Sequence, residues 1–275
     1  MIYKKIGITG STGVLGSYIL KNFKNAKFDC FKGDISKKKD IQSWLKNKKF
    51  DGVFHLAALV PVDKVNKNYK KALKINYEGT KYLIDEIIKQ KVCKWFLFSS
   101  TSHVYNFSNR KIKEDFKPRP VNLYGKTKLK AEKYLQKKSK KINICIARIF
   151  SYTHRRQKIN FLIPSIFKKI KIKKIQKFER LNHSRDFVHI FDINSSFQLL
   201  FKKKSFGIFN IASGKSIKIS FIAEYFAKKF KSKIFFKEKK IETIHKASIE
   251  KIKKLGWRPK KNIYNILKDF INKTN

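Results

Sequence analysis

Acidic residues are scarce in this chain. Asp and Glu number 19 against 67 Lys and Arg in 275 residues, a formal net charge of +48. Arginine is scarce as well: Arg110, Arg119, Arg148, Arg155, Arg156, Arg180, Arg185 and Arg258 are all there are, so the positive charge is nearly all lysine. Such an excess first suggests a nucleic-acid or anionic-membrane binder. Two features count against that reading. Lys, Ile, Asn and Phe are inflated together, the mark of A/T-rich codons, and the lysines are scattered through nearly every segment without a recognised nucleic-acid motif. No nucleic-acid partner is expected.

Cysteine is limited to Cys30, Cys93 and Cys145, an odd number at wide spacing. That excludes a disulfide framework and suits a reducing compartment. The six histidines show no metal-ligand spacing, so no metal is expected. No apolar run approaches the ~20 residues of a membrane span. The chain enters its first apolar run, Ile2 to Ile8, without a charged-then-apolar leader. The expectation is a soluble, cytoplasmic protein. With 42% hydrophobic residues, the length suits one large domain, or one and a half, with a real core.

What is present is a strand, a glycine-rich turn and a helix. The run Ile2 to Ile8 leads into Thr9-Gly10-Ser11-Thr12-Gly13-Val14-Leu15-Gly16, and Ser17 to Phe23 places apolar residues at helical spacing. That is the context a dinucleotide fingerprint requires. Gly10 permits the tight turn, Gly13 lets the backbone approach a pyrophosphate, and Gly16 lets helix and strand pack closely. Helix-start N–H groups then face the phosphates. Alone, the pattern is equally that of an ordinary turn.

The rest of the chain extends the alternation. Ala26–Phe31, Gly52–Ala58, Lys94–Thr101 and Ile142–Phe150 read as strands. Asp40–Asn47, Lys70–Lys89 and Asn122–Lys138 read as helices between them. Uninterrupted apolar strands alternating with helices predict an α/β, Rossmann-type, doubly wound parallel sheet. After Phe150 the pattern loosens. Phe161–Ile170 and Ile219–Phe230 read as helices, Phe187–Phe201 as a strand start plus helix, and Gly207–Ile211 as a strand; two short helices flank Leu255–Pro259. The expected division is an NAD(P)-binding domain over 1–160, with returning segments at about 187–212. The remainder, 161–275, is expected to be a small C-terminal α/β substrate lobe.

Tyr124 and Lys128 stand four apart on the helix Asn122–Lys138, so their side chains share a face. A phenol is a poor base at neutral pH, but a nearby ammonium favours the phenolate. In a chain this rich in lysine, such a pair also arises by chance. The stretch Ser99-Ser100-Thr101-Ser102-His103-Val104-Tyr105 ends a parallel strand, and ligands of open α/β sheets bind at carboxyl strand ends. Hydroxyl donor, Tyr/Lys pair and glycine turn therefore fall on one sheet edge.

In this order the motifs resemble those of the extended short-chain dehydrogenase/reductase proteins, specifically the NAD-dependent epimerase/dehydratase family acting on nucleotide sugars. Thr9–Gly16 resembles its TGxxGxxG, His55–Ala58 its HxAA, and Asn76–Thr80 its NxxGT. Ser99–Tyr105 resembles SSxxVY, Tyr124–Lys128 YxxxK, and Arg185–His189 RDFVHV. Phe209–Gly214 and Leu255–Pro259 resemble FNIGSG and LGWxP. The resemblance implies a catalytic set of Thr101, Tyr124 and Lys128. It implies cofactor contacts from Gly10, Thr12, Gly13, Val14, Leu15, Gly16, Asp34, Ile35, Leu56, Ala57, Ala58, Asn76, Ser99, Tyr124 and Lys128. Thr101 and Arg185 would hold the substrate, Arg185 gripping its diphosphate; the other reading of Arg185 is an ion pair with Asp186. NAD or NADP is the implied cofactor and a nucleotide-diphosphate sugar the implied substrate. The implied assembly is a homodimer through helices Lys70–Lys89 and Asn122–Lys138.

The chain also departs from the pattern. Members that dehydrate sugars carry Asp-Glu after the catalytic Thr, where Ser102 and His103 stand here. Asn106 replaces a glycine, and Ser151 stands where many 4-epimerases have Asn. The second strand lacks a terminal Asp for the adenosine ribose, and Lys32 near that place suits a 2′-phosphate. The expected function is therefore an NAD(P)-dependent nucleotide-sugar epimerase or keto-sugar reductase. The alternative is a non-catalytic dinucleotide-sensing or RNA-binding relative of the same fold.

Overall fold

The computed structural model describes residues 3–172, 174–179, 181–237 and 242–272; the expected strand start at Ile2 lies outside the described residues. The elements begin β1 (Lys4–Thr9), α1 (Val14–Asn22), β2 (Ala26–Cys30), α2 (Lys38–Leu45), β3 (Gly52–His55), α3 (Val62–Lys67), α4 (Tyr69–Leu73) and α5 (Gly79–Lys89). They continue β4 (Trp95–Thr101), α6 (Leu123–Lys138), β5 (Asn143–Ile149), α7 (Leu162–Ile172), β6 (Ile175–Glu179), β7 (Ser184–Asp186), α8 (Ile190–Lys202) and β8 (Gly207–Ile211). The last are β9 (Ser216–Lys218), α9 (Ile219–Phe230), β10 (Lys233–Lys237), β11 (Ile244–His245), α10 (Glu250–Lys254) and α11 (Ile263–Ile271). Two compact units result. The first takes Met1–Tyr105, Lys117–Ile149 and Asn194–Asn210, and the second Asn106–Phe116, Phe150–Ile193 and Ile211–Asn275.

In the first unit the sheet order is β2-β1-β3-β4-β5-β8, and every pairing from β2 to β5 is parallel. This is the doubly wound Rossmann-type sheet. Apolar runs make it, because neighbouring residues face opposite layers and both must be buried. On β3, Val53 joins Phe96 and Phe98 beneath Leu83, Ile84 and Ile87 of α5 and Ala131 and Leu135 of α6. Its neighbour Phe54 turns the other way, into the ring cluster of Phe23, Trp95, Phe197 and Phe201.

Two expected elements differ in detail. The strand expected over Gly52–Ala58 ends at His55, because the Ala57 N–H turns to the Thr9 hydroxyl (3.3 Å). The helix expected over Lys70–Lys89 contains a π-helical turn, Lys74–Glu78, between α4 and α5. That turn carries Asn76, and such bulges often re-aim a functional side chain.

The second unit has its own core, in which Ile163, Ile166 and Ile170 of α7 meet Ile222 and Phe226 of α9 and Ile266, Leu267 and Phe270 of α11. α11 begins at a capping box between Asn262 and Asn265 and buries Ile263, Ile266, Leu267 and Phe270, one helical stripe. Two small sheets complete the unit: β11-β7-β9, and the parallel pair β10-β6. No helix among the described residues is long and apolar enough to cross a membrane.

Candidate active site

The glycine turn has separate reasons for each glycine. Gly10 lies at φ +74°, and a Cβ there would stand 2.6 Å from the Ala57 nitrogen. A Cβ at Gly16 would collide with the Gly10 carbonyl oxygen. The fold itself thus demands both. Gly13 differs: its φ is −68°, and a Cβ would meet only the Gly10 oxygen, at 3.3 Å. No side chain caps the first turn of α1 from this position. Unhindered helix-start amides behind a backbone without a Cβ fit a pyrophosphate. Val14 and Leu15 follow in α1, and Thr12 is exposed on the turn.

A chain of hydrogen bonds ties this turn to α6. The Ala57 N–H donates to Thr9 Oγ1, which stands 2.7 Å from His55 Nδ1, while His55 Nε2 stands 2.8 Å from Thr80 Oγ1. The Thr80 hydroxyl donates to the Asn76 carbonyl (2.8 Å). It can therefore only accept from His55, which puts the imidazole proton on Nε2 and makes Nδ1 the acceptor of the Thr9 hydroxyl. Burial, with the Lys128 charge as a lesser cause, holds His55 down at about 3, so it is neutral.

Asn76, expected at the cofactor, is the next link. The Asn76 amide accepts from the Leu59 N–H (2.7 Å) and donates to the Leu59 carbonyl (3.2 Å) and to Thr127 Oγ1 (3.0 Å). Thr127 in turn donates to the Tyr124 carbonyl (2.7 Å). The amide is fully buried and its groups are engaged, so Asn76 positions the loop carrying Leu56, Ala57 and Ala58 against α6. Asp34 and Ile35 lie after β2. The Ile35 carbonyl would stand 2.6 Å from a Cβ on Gly79, so α5 approaches it closely. Asp34 Oδ1 accepts from the Ser36 N–H and hydroxyl, bonds that lower its pKa. Asp29, the acid nearest the end of β2, is engaged by Trp44 Nε1 and Lys48 Nζ, while Lys32 is exposed.

Thr101 ends β4 and Tyr124 opens α6, with His103 between them. The His103 N–H donates to Thr101 Oγ1 (3.2 Å). Its ring stands edge-on to Tyr124 at 5.8 Å, and its Nδ1 accepts from Asn122 Nδ2 (2.9 Å). Asn122 Oδ1 caps the helix by accepting from the Gly125 N–H. Gly125 has no room for a side chain against the His103 carbonyl. Strand end and helix start are thereby locked together.

Lys128 is buried one turn along α6 from Tyr124, its ammonium 4.0 Å from the Phe98 ring centroid. Burial lowers its pKa from 10.5 to about 7, and Glu132 one turn further opposes that. The unfolded chain keeps this proton to higher pH than the folded one. Between about 7 and 10.5 the unfolded state binds more protons, so stability rises with pH across that window. Lys128→Met is expected to flatten this rise, read as the urea midpoint against pH. A slope equal to wild type would reject it.

Beneath these residues lies a polar network that the sequence reading missed. Glu132 is fully buried and accepts from Arg148 Nη2 (2.7 Å), from Arg148 Nε and from the hydroxyl of Ser100, the residue between Ser99 and Thr101. Arg148 Nη1 donates to the Tyr105 hydroxyl (2.7 Å), which donates to Asn210 Oδ1 (2.9 Å). The signal was available: Arg148 is a charge inside the buried run Ile144–Ile149, and such a charge requires a partner.

Arg185 belongs to the second unit, on β7. Its guanidinium stacks on Phe107 (4.7 Å) and donates to the Ser184 and Thr243 carbonyls and to Thr243 Oγ1. The ion pair with Asp186 is not formed. Asp186 turns away and accepts from Ser213, Gly214 and Ala247 N–H groups, and burial raises its pKa to about 6 despite those bonds. No group of three or more His, Cys, Asp and Glu able to hold a metal occurs among the described residues.

A family model described as GDP-mannose 4,6 dehydratase matches residues 17–270. The chain belongs to the NAD-dependent epimerase/dehydratase family of extended short-chain dehydrogenases/reductases. It is accordingly an enzyme, and its relatives are nucleotide-sugar epimerases and dehydratases. It is 24% identical to a UDP-glucose 4-epimerase of Pisum sativum, over 97% of this chain and 94% of the relative. It is 30% identical to a GDP-6-deoxy-D-talose 4-dehydrogenase of Aggregatibacter actinomycetemcomitans, over 68% and 67%. The family fold is matched by the structure of RMD from Pseudomonas aeruginosa complexed with NADPH, at a TM-score of 0.90 and 21% identity over 98% of both chains.

Proposed function

We propose that this family member is an NAD(P)-dependent epimerase or keto-sugar reductase acting on a nucleotide-diphosphate sugar. The observation that carries the reading is the joining of α6, which bears Tyr124 and Lys128, to the glycine turn through the Thr9–His55–Thr80–Asn76–Thr127 chain and to Thr101 through His103 and Asn122. The residues fit the cofactor: Gly13 leaves open the approach to the α1 amides, and Asp34, Ile35, Leu56, Ala57, Ala58 and Ser99 are assigned to the same groove. When bound, NAD or NADP supplies the acceptor or donor of hydride. The cofactor domain is assigned to 1–160 with about 187–212, and the substrate lobe to 161–275.

Each catalytic side chain has a task that follows from its bonds. Thr101 Oγ1 already accepts from the His103 N–H, so its own proton is directed to a sugar oxygen. Tyr124 takes the proton of the sugar hydroxyl as hydride leaves the carbon, or returns it in reduction. Lys128, a turn away and buried, favours the phenolate whenever it is charged. Arg185, with three N–H bonds to its own unit, keeps donors for a diphosphate. Dehydration is a weaker reading, because His103 replaces at most one of the acid and base that elimination needs. A homodimer through α5 and α6 completes the proposal, checked by sedimentation.

The test is nicotinamide absorbance during incubation with UDP-, dTDP-, GDP- and CDP-sugars and their 4-keto forms, with product masses. Cofactor consumed one for one with keto-sugar means a reductase. Constant cofactor with an isomer of equal mass means an epimerase. Cofactor binding without turnover of any substrate rejects the catalytic reading.

A further inference from the structure

The second unit carries a surface to which none of the candidate site residues contributes. Beside α7 lies a cavity of about 780 Å³, a size within the range of ligand pockets. Its floor is apolar, formed by Pro164, Phe167 and Phe270. Its rim carries Arg155, Arg156, Lys168 and Lys171, and among the described residues no carboxylate lines it. Ile159 and Ile172 stand at the rim, 58% and 64% exposed.

The same combination continues past the end of α7. The Ser232 hydroxyl donates to the Ile170 carbonyl and the Lys233 N–H to the Lys174 carbonyl, which ties the start of β10 to the end of the helix. In the β6–β10 pair, Ile175 is opposite Lys233 and Phe235 opposite Lys177. Period-two alternation puts these four on one face, while Phe178 is buried. Ile175 and Phe235 are 66% and 57% exposed.

A codon bias toward lysine explains lysines anywhere, but it does not explain this place. The chain has eight arginines, and its one Arg-Arg pair, Arg155-Arg156, lies on this rim. Beside these cations Ile159, Ile172, Ile175 and Phe235 are left in water. A second copy of the chain would bring like charge against like charge. A nucleic acid would use the cations and stack a base on Phe235, yet it leaves the exposed Ile159, Ile172 and Ile175 without a role. Anionic lipid uses both: headgroup phosphates meet the cations, and the isoleucines and Phe235 enter the headgroup–acyl boundary. We propose that this face of the second unit docks on an anionic lipid bilayer, with the Arg155/Arg156 rim holding headgroup phosphate.

The test uses the full chain and sedimentation with phosphatidylcholine vesicles, with and without phosphatidylglycerol, at about 0.15 M salt. Wild type is expected to sediment only with the anionic vesicles. Arg155→Gln with Arg156→Gln is expected to lower the partition about tenfold or more, and Ile172→Ser with Ile175→Ser severalfold. All four sites are exposed, so the fold is kept. Lys38→Gln with Lys39→Gln, exposed at the start of α2 and equal in charge, is the control, expected to change it less than about twofold. Three results would overturn the proposal. One is no sedimentation; another is equal loss in the control, which means diffuse charge. The third is single-stranded RNA bound with the same dependence on Ile172 and Ile175, which means a nucleic-acid face.

Discussion

Tyr124→Phe is expected to lower kcat by about 10²–10⁴-fold, the span a positioned acid/base contributes. The substitution is confined to one oxygen. The ring keeps its edge-on contact with His103, and the backbone carbonyl keeps the Thr127 bond, because neither uses the phenol. Helix α6 keeps its cap at Asn122 and its tie to Asn76. KM and cofactor affinity should therefore stay near wild type. That split separates proton transfer from positioning. Turnover within a few-fold of wild type would remove Tyr124 from the acid/base role. A fall in kcat matched by a fall in stability would point to packing instead.

The parts of this site that were legible in the sequence are those whose chemistry is local. Asn122 bounds α6 as expected, because an N-cap needs only the N–H three residues on. Trp95–Thr101 is legible as a strand because all but one of its residues are buried and most are apolar. Gly10 and Gly16 were read correctly for the same reason: tight turn and close packing are backbone properties. What was illegible depends on partners far away in the chain. The partners of Asn76 are of this kind: the π-helical turn aims its amide at Leu59 and Thr127. β6 and β10 escaped notice because lysines dilute their alternation, and each is a strand only through the other. The alternative reading of Arg185, an ion pair with Asp186, is not met because neighbours on a strand face opposite sides, which sends Asp186 to the Ser213–Gly214 loop.

Breaking the buried pair under the site should give the largest loss of stability. Glu132→Gln leaves Arg148 buried at 2% exposure without a counter-charge, and Arg148→Met leaves Glu132 likewise. Each is expected to cost about 3–5 kcal/mol, read from the urea midpoint. The double variant, Glu132→Leu with Arg148→Met, should recover most of that, since a buried pair replaced by apolar residues of similar volume is often neutral. Activity should not recover with it. Ser100, next to Thr101, loses its acceptor, and Lys128 loses the charge that opposes its desolvation. The Lys128 pKa then falls further, so at neutral pH less of it is charged to favour the Tyr124 phenolate. A double variant as stable as wild type, with kcat lowered and its pH profile displaced, would establish Glu132 as a positioning residue. One with wild-type kcat at every pH would leave the pair a purely structural element beneath the sheet edge.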